Sequence, residues 1–376
     1  MACLKIFSDK KISAMPKNPV KFCSEYSRNE PRKFNRLVYV TRNYKSTAYG
    51  GAKARVDMED ILHDMGAVNL GMDRTFCKNK AYDYFRNLAG IMRFMCRVRP
   101  GDVVLVQYPV KKYYKLICRW SHLRGAKVVS LIHDLGSFRR HRLTVKEENR
   151  KLQMSDVIIP ANVSTMKWLR EHGCDMPMTP QIAWDYLLKN EGQCKDRKKM
   201  SVAFVGDLKE SRNGFLYRLP ERLETHIYGN GAKKDIPEHI KSHGFIHPED
   251  FVRQGEGKYG LIWYGPTLEH DTEGYIGEYI SYCNPHKLGL YMRAGIPVIL
   301  WEGAGAAPFV KKEGIGVTVE SLENLDKQLA SISDEDYSRM QANVKRVASL
   351  MAYGYYFRSA LDHALDILQI LPTKLS

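Results

Sequence analysis

The sequence predicts an α/β protein made of two Rossmann-like domains facing each other across a cleft. Short apolar runs alternate with segments of helical period along almost the whole chain, the pattern of repeated βα units. A length of 376 residues is long for one core and natural for two. The polar stretch 188–200, with Gly192 and the charged run 195–199, separates βα units ending near residue 186 from a second series opening at Ser201. This gives an extension (1–34), a first domain (35–187), a linker (188–200), a second domain (201–354) and a terminal helical segment (355–376).

In the first domain, Arg36 to Thr41 is an apolar strand, followed by a loop (43–53) containing Gly50, Gly51 and Lys53. A helix from about Ala54 to Met65 then carries Val56, Ile61, Leu62 and Met65 on one side. Strand, glycine loop and helix make a corner suited to phosphate or sugar. The loop has neither the G-x-G-x-x-G nor the Walker spacing. A helix near 81–97 and a strand (102–108) ended by Pro109 come next. In the helix at 111–124, Tyr113, Leu116, Ile117 and Trp120 share a side, with Lys112, Lys115 and Arg119 elsewhere. Half-buried and membrane-facing helices both have that period. The strand from Lys127 then delivers His133 and Asp134 at its carboxyl end, where α/β proteins place their chemistry. A basic run (139–142), a helix (144–153), a strand (156–160) and a helix capped by Asn162 or Ser164 complete the domain.

The second domain opens on a buried strand, Ser201 to Val205, then Gly206 and a turn holding Lys209 and Ser211. Thr225 to Gly231 is a strand and turn that includes Tyr228, and 243–251 pairs a Gly-Phe-Ile segment (Phe245, Ile246) with a short helix. Tyr259 to Trp263 is a strand, and 265–281 reads as irregular. Asn284-Pro285-His286-Lys287-Leu288 then opens a helix with Pro285 in its first turn, capped by Gly295 before the apolar strand 296–301. Backbone N–H groups, a positive dipole end and Lys287 at such a helix start suit a phosphate.

Asn-Pro-His-Lys-Leu followed by Ala-Gly-Ile-Pro-Val-Ile resembles the donor-site helix of GT-B nucleotide-sugar glycosyltransferases. The resemblance is to bacterial β-1,6-galactofuranosyltransferases and streptococcal adhesin glucosyltransferases, over about residues 36–370. It implies hexose transfer (galactofuranose or glucose) from a UDP-sugar to a saccharide acceptor, with inversion. The acidic loop Glu269-His270-Asp271 does not follow a clear apolar strand as a metal-binding motif would, so no metal or other cofactor is expected. Asp134 is then the general base, with His133 second. Lys287, Asn284, Lys209, Ser211, Gly206, Tyr228, Phe245 and Ile246 hold the donor. Gly50, Gly51 and Lys53 lie on the cleft loop, and the last helix returns to the first domain. A GT-B sugar-nucleotide epimerase and a basic nucleic-acid-binding protein are the alternative readings, distinguished by products from donor alone and by salt-sensitive nucleic-acid binding.

Composition narrows the setting. No apolar run is long enough to span a bilayer, and Met1 to Phe7 is too short for a signal-peptide core. The eight cysteines form no C-x-x-C pair and no cluster with histidine, so neither a disulfide framework nor a metal site is expected, and a cytoplasmic setting fits. The net charge of +16 is concentrated in residues 93–142, with twelve Lys/Arg against Asp102 and Asp134. That concentration predicts a peripheral contact with an anionic membrane, where a lipid-linked acceptor would be presented. A homo-oligomer is a further candidate partner, and nucleic acid is not expected.

Overall fold

The computed structural model describes residues 34–46, 50–110, 112–139, 143–189, 200–270 and 275–370. The N-terminal extension, positions 47–49, Lys111, the basic run at 140–142, most of the polar linker and Asp271 lie outside the described residues.

The first domain begins with β1 (Arg36–Tyr39), β2 (Asn43–Tyr44), α1 (Gly50–Asp64), β3 (Val68–Asn69), β4 (Thr75–Phe76) and α2 (Lys80–Arg97). It continues with β5 (Asp102–Tyr108), α3 (Tyr114–Leu123), β6 (Lys127–Ile132), α4 (Gly136–Arg139), α5 (Val145–Leu152), β7 (Val157–Ile159) and α6 (Val163–Glu171). Its main sheet is parallel, in the order β3-β1-β5-β6-β7. Register explains the apolar runs. Val38, Val104 and Val128 lie side by side and pack under Ile91, Phe94 and Ile117. The next row, Tyr39, Leu105 and Val129, faces the opposite way onto Met58, Ile61 and Leu62. Strand side chains alternate between faces, so a sheet covered on both sides reads as continuously hydrophobic.

The second domain runs β8 (Ser201–Asp207), α7 (Glu210–Asn213), β9 (Glu224–Asn230), β10 (Ile240–Ser242), α8 (Pro248–Gln254) and β11 (Tyr259–Ile262). After these come α9 (Tyr275–Tyr282), α10 (Lys287–Arg293), β12 (Val298–Trp301), α11 (Ala307–Glu313), β13 (Gly316–Val319), α12 (Leu325–Ala330), α13 (Asp334–Tyr353) and α14 (Tyr355–Ile370). Its six parallel strands are ordered β10-β9-β8-β11-β12-β13. Gly354, with φ of 76°, breaks α13 from α14 in the left-handed conformation that favours glycine. Helix α14 then crosses to the first sheet, where Phe357, Leu361 and Leu365 join the cluster holding Leu105 and Val129. Asp185, fully buried, accepts the N–H groups of Tyr356 and Phe357 at 3.2 and 2.7 Å and caps that helix.

Three local expectations change. Helix α1 starts at Gly50, so Gly50, Gly51 and Lys53 belong to its first turn and not to the loop before it. Helix α10 starts at Lys287, two residues after Pro285, which instead closes a turn by accepting the Leu288 N–H at 3.0 Å. The segment expected to be irregular contains α9. Gly277 and several tyrosines give that helix a weak intrinsic propensity, and packing compensates: Tyr282 stacks on Phe138 of the first domain with ring centroids 5.1 Å apart.

Candidate active site

On the second domain the site begins at the end of β8. Gly229 on β9 pairs with Gly206 and has φ of 155°. A Cβ there would lie 1.8 Å from the Gly206 carbonyl oxygen, so this crossing demands glycine. Gly206 is small for a different reason. A Cβ on it would stand 3.3 Å from Lys287 Nζ, which lies directly over the strand end. The ammonium faces the rings of Phe204 at 3.9 Å and Tyr264 at 4.7 Å. Among the described residues Lys287 has no ion-pair partner. Burial pushes its pKa down to about 7, with Cys283 opposing the shift. A desolvated cation of this kind gains strongly from an arriving anion.

On the first domain, β6 delivers His133 and Asp134. Gln107 Nε2 donates to the Arg55 carbonyl at 3.1 Å, which turns Gln107 Oε1 toward His133 Nε2 at 2.7 Å. The proton of a neutral His133 therefore sits on Nε2. Its ring stacks on Trp184 at 4.5 Å with a 3° interplanar angle. Burial, then Arg55 and Arg42, hold it well below the ordinary histidine pKa, which makes it a weak base. Arg55 is itself buried, donates to the Gln107 carbonyl at 2.6 Å, and is brought down to about 9 by burial, with the charge of Asp134 among those opposing. Asp134 lines a small hollow with Phe138 and Thr165 from one domain and Tyr279, Tyr282 and Cys283 from the other.

Segment 182–187 joins the two sides. Trp184 Nε1 donates to the Asn284 carbonyl at 3.0 Å, and Asn284 Nδ2 returns to the Ala161 carbonyl at 2.9 Å. Asn162 Nδ2 bonds the carbonyls of Tyr282 and Cys283 at 3.0 and 3.2 Å. Tyr186 packs on Gly289, where a Cβ would come within 2.9 Å of its side chain, and its ring meets His286 at 4.5 Å. Burial, then Lys53, push His286 down to about 3, so it is neutral. His133 with Trp184, and Tyr186 with His286, thus form two ring contacts beside the bonds that join the domains.

Residues 37–182 match the N-terminal domain, and residues 202–364 the C-terminal domain, of the family described as glucosyltransferase 3-like. The chain belongs to that family. The β-1,6-galactofuranosyltransferase WbbI of Escherichia coli is 26% identical over 323 residues, which cover 85% of this chain and 95% of the relative. Glucosyltransferase 3 of Streptococcus parasanguinis is 23% identical over 344 residues, covering 87% and 98%. The crystal structure of Anabaena Alr3699/HepE in complex with UDP-glucose superposes with a TM-score of 0.52 at 10% identity, covering 89% of this chain and all of that one. At that identity the likeness speaks for the fold, which is GT-B. This chain is a glycosyltransferase.

Within this family member, the residues singled out in the sequence fall into three groups. Lys287 lies over Gly206, Lys209 and Ser211 stand exposed at the cap and in the first turn of α7 after the same strand, and Asp134 and His133 line the hollow at the end of β6. Gly51 is exposed with open space at its Cα, and Phe245 is 49% exposed beside the half-buried Ile246. Gly50 opens α1, and the remaining three are built into the fold. Tyr228 is buried, and its hydroxyl accepts the Glu256 N–H at 2.8 Å. The Asn284 Nδ2 holds the domains together through the Ala161 and Ile182 carbonyls, while its buried Oδ1 accepts no hydrogen bond among the described residues. Lys53 is bound to Asp57 and the Leu187 carbonyl and lies over Tyr186, so its charge braces the linker segment instead of facing an acceptor. Arg55, Gln107, Trp184 and Tyr186 escaped the sequence reading, and His286 entered it only as part of the donor-helix motif. Only the aromatic density of 184–186 hinted at them, because their proximity comes from tertiary contacts.

Proposed function

We propose that this glycosyltransferase moves a hexose, galactofuranose or glucose, from a UDP-sugar to the hydroxyl of a saccharide acceptor with inversion. The observation that carries the donor half is Lys287, a desolvated cation over the Gly206 strand end with no ion-pair partner among the described residues. Charge developing on the departing diphosphate would meet this ammonium and the backbone N–H groups of the turn after β8, helped by Lys209 and Ser211. No metal ion is assigned a part in the transfer. Phe245 and Ile246, on the segment after β10, are assigned to the base. Asp134 takes the acceptor proton from across the hollow as the hydroxyl attacks the anomeric carbon and UDP leaves. Arg55 steadies the carboxylate. The test is thermal unfolding with a panel of UDP-, GDP- and ADP-sugars. A UDP-sugar at a hundredfold excess over its Kd stabilises by about 2.7 kcal/mol. No shift with any uridine compound would overturn the donor assignment.

We further propose that the acceptor is met at an anionic membrane surface, on which the first domain rests peripherally on the cytoplasmic side. Two aromatics of the helix at 111–124 are unavailable for this. Tyr114 is buried, and Trp120 is half-buried with its Nε1 bonded to the Met95 carbonyl at 2.9 Å. The exposed apolar groups lie instead on α2, where Phe85 and Met92 are 67% and 60% exposed, and on α3, where Leu116 and Leu123 are also exposed. Around them stand Arg93, Arg97, Lys112, Lys115, Arg119 and Arg124. Between residues 84 and 124 the only acid is Asp102, which is buried and paired with Arg36. Cations ringing exposed apolar side chains suit loose adsorption to acidic lipid. No helix among the described residues is long and apolar enough to cross a membrane.

A further inference from the structure

Away from Lys287, β9 and two neighbouring loops bring His226, His243 and Glu256 together, with one donor atom from each lying within 4.8 Å of the others. His226 is buried, and its Nε2 lies 2.9 Å from Glu224 Oε1. That carboxylate holds the imidazole proton on Nε2 and leaves the Nδ1 lone pair bare, the arrangement in which a carboxylate orients a metal-binding histidine. Nδ1 faces His243 Nε2 at 3.0 Å and Glu256 Oε2 at 3.6 Å. Both partners are fixed from behind by Tyr228. The His243 ring stacks on it at 4.5 Å with a 10° interplanar angle, and its hydroxyl takes the Glu256 N–H. A proton on His243 Nε2 satisfies one contact and leaves the carboxylate facing a lone pair. A cation at the centre satisfies all three.

We propose that His226, His243 and Glu256 bind a divalent transition metal, with Zn²⁺ the best match, at a site separate from the diphosphate subsite. Two neutral imidazoles and one carboxylate are the donor set of tetrahedral zinc, with water in the fourth position. Metal–nitrogen bonds of about 2.0–2.1 Å place two tetrahedral nitrogens roughly 3.3 Å apart, close to the spacing already present. His226 pairs with Ala203 on β8, three positions before the Gly206–Gly229 pair, which is about 10 Å along the strand from the Lys287 end. The metal therefore acts as a clip joining β9 to the loops at 243 and 256. Its further role of bracing the wall that carries Phe245 and Ile246 rests on the donor reading, whereas metal binding does not.

The experiment uses the full chain stripped with EDTA, its thiols blocked so that cysteine cannot contribute, and titrated with Zn²⁺ by calorimetry and with Co²⁺ by visible absorption. One equivalent is expected, with an intense four-coordinate cobalt spectrum and a zinc-dependent rise in Tm. His243→Phe keeps the ring stack on Tyr228 and Glu256→Gln keeps the shape, and each should abolish stoichiometric binding while leaving the Tm in EDTA unchanged. Glu224→Ala should weaken binding about 10- to 100-fold. Absence of binding in the natural chain, or equal binding in both ligand variants, overturns the site. UDP binding measured in EDTA separates this result from the donor assignment, since its survival without metal leaves the donor reading intact.

Discussion

Replacing Lys287 with methionine keeps the hydrocarbon stem over Phe204 and removes only the charge. A charge-assisted contact to phosphate contributes about 1.5–3 kcal/mol, so UDP affinity should fall about 10- to 150-fold with little change in Tm. The depressed pKa adds a sharper signature. With a folded value of about 7, roughly half of the free protein carries the ammonium at pH 7 and about a tenth at pH 8. The sign follows: a diphosphate binds the protonated form, so its affinity falls as pH rises through 7, nearly tenfold per unit until the pKa of the complex is reached. Above about pH 7 the phosphate of UDP is already ionised and adds no compensating trend. Lys287→Met should be flat over the same range, and Lys287→Arg should also be flat but tighter, because a guanidinium keeps its charge. Calorimetric titration of UDP between pH 7 and 9.5 reads all three. A flat profile in the natural protein, or Lys287→Met binding within twofold of it, would refute the reasoning.

The other predictions concern the base, the returning helix and the surface. Asp134→Asn should keep UDP affinity and lose a hundredfold or more in transfer rate, while His133→Ala, lacking only a weak base, should lose far less; the reverse outcome exchanges the two roles. Asp185→Ala leaves two buried N–H groups at the start of α14 without their acceptor, and chemical denaturation should report a loss of about 1–3 kcal/mol. Stability unchanged by that substitution would mean that the cap does not couple the linker segment to α14. In vesicle sedimentation, Lys112→Glu with Lys115→Glu should weaken attachment to anionic lipid, with about 1 kcal/mol lost per charge removed, and Phe85→Ser with Met92→Ser should weaken it independently. Equal binding to neutral and anionic vesicles contradicts the surface assignment.

The parallel strands were legible because burial on both faces leaves an apolar run, as from Val103 to Val106 and from Val298 to Leu300. Caps were legible too. Asn162 and Gly295 start or stop helices by local chemistry alone. Helix α9 was not, since it exists by packing Tyr282 against Phe138, far away in the chain. Lys287 and Gly206 could be singled out by motif, because both sit at strand or helix ends where such folds collect ligands, and the structure puts the Lys287 side chain over Gly206. The roles of Lys53 and Asn284 did not. Their polarity suggested ligand contact, yet Asp57 and nearby carbonyls take up the Lys53 ammonium and the Asn284 Nδ2, and only tertiary structure shows those partners. The histidines of the second domain were invisible for the same reason, as three separate segments supply the donor atoms.

The central claim is acceptor-dependent hexose transfer from a uridine donor. Incubating the natural chain with UDP-galactofuranose or UDP-glucose and a set of saccharide acceptors, then following UDP release beside the mass of the product, tests it most directly. The account predicts one new glycosidic hexose for each UDP released, only when an acceptor is present, with both signals lost together in Asp134→Asn and in Lys287→Met. Isomerised donor formed without any acceptor, or no product from any uridine sugar while another nucleotide sugar is consumed, would contradict it.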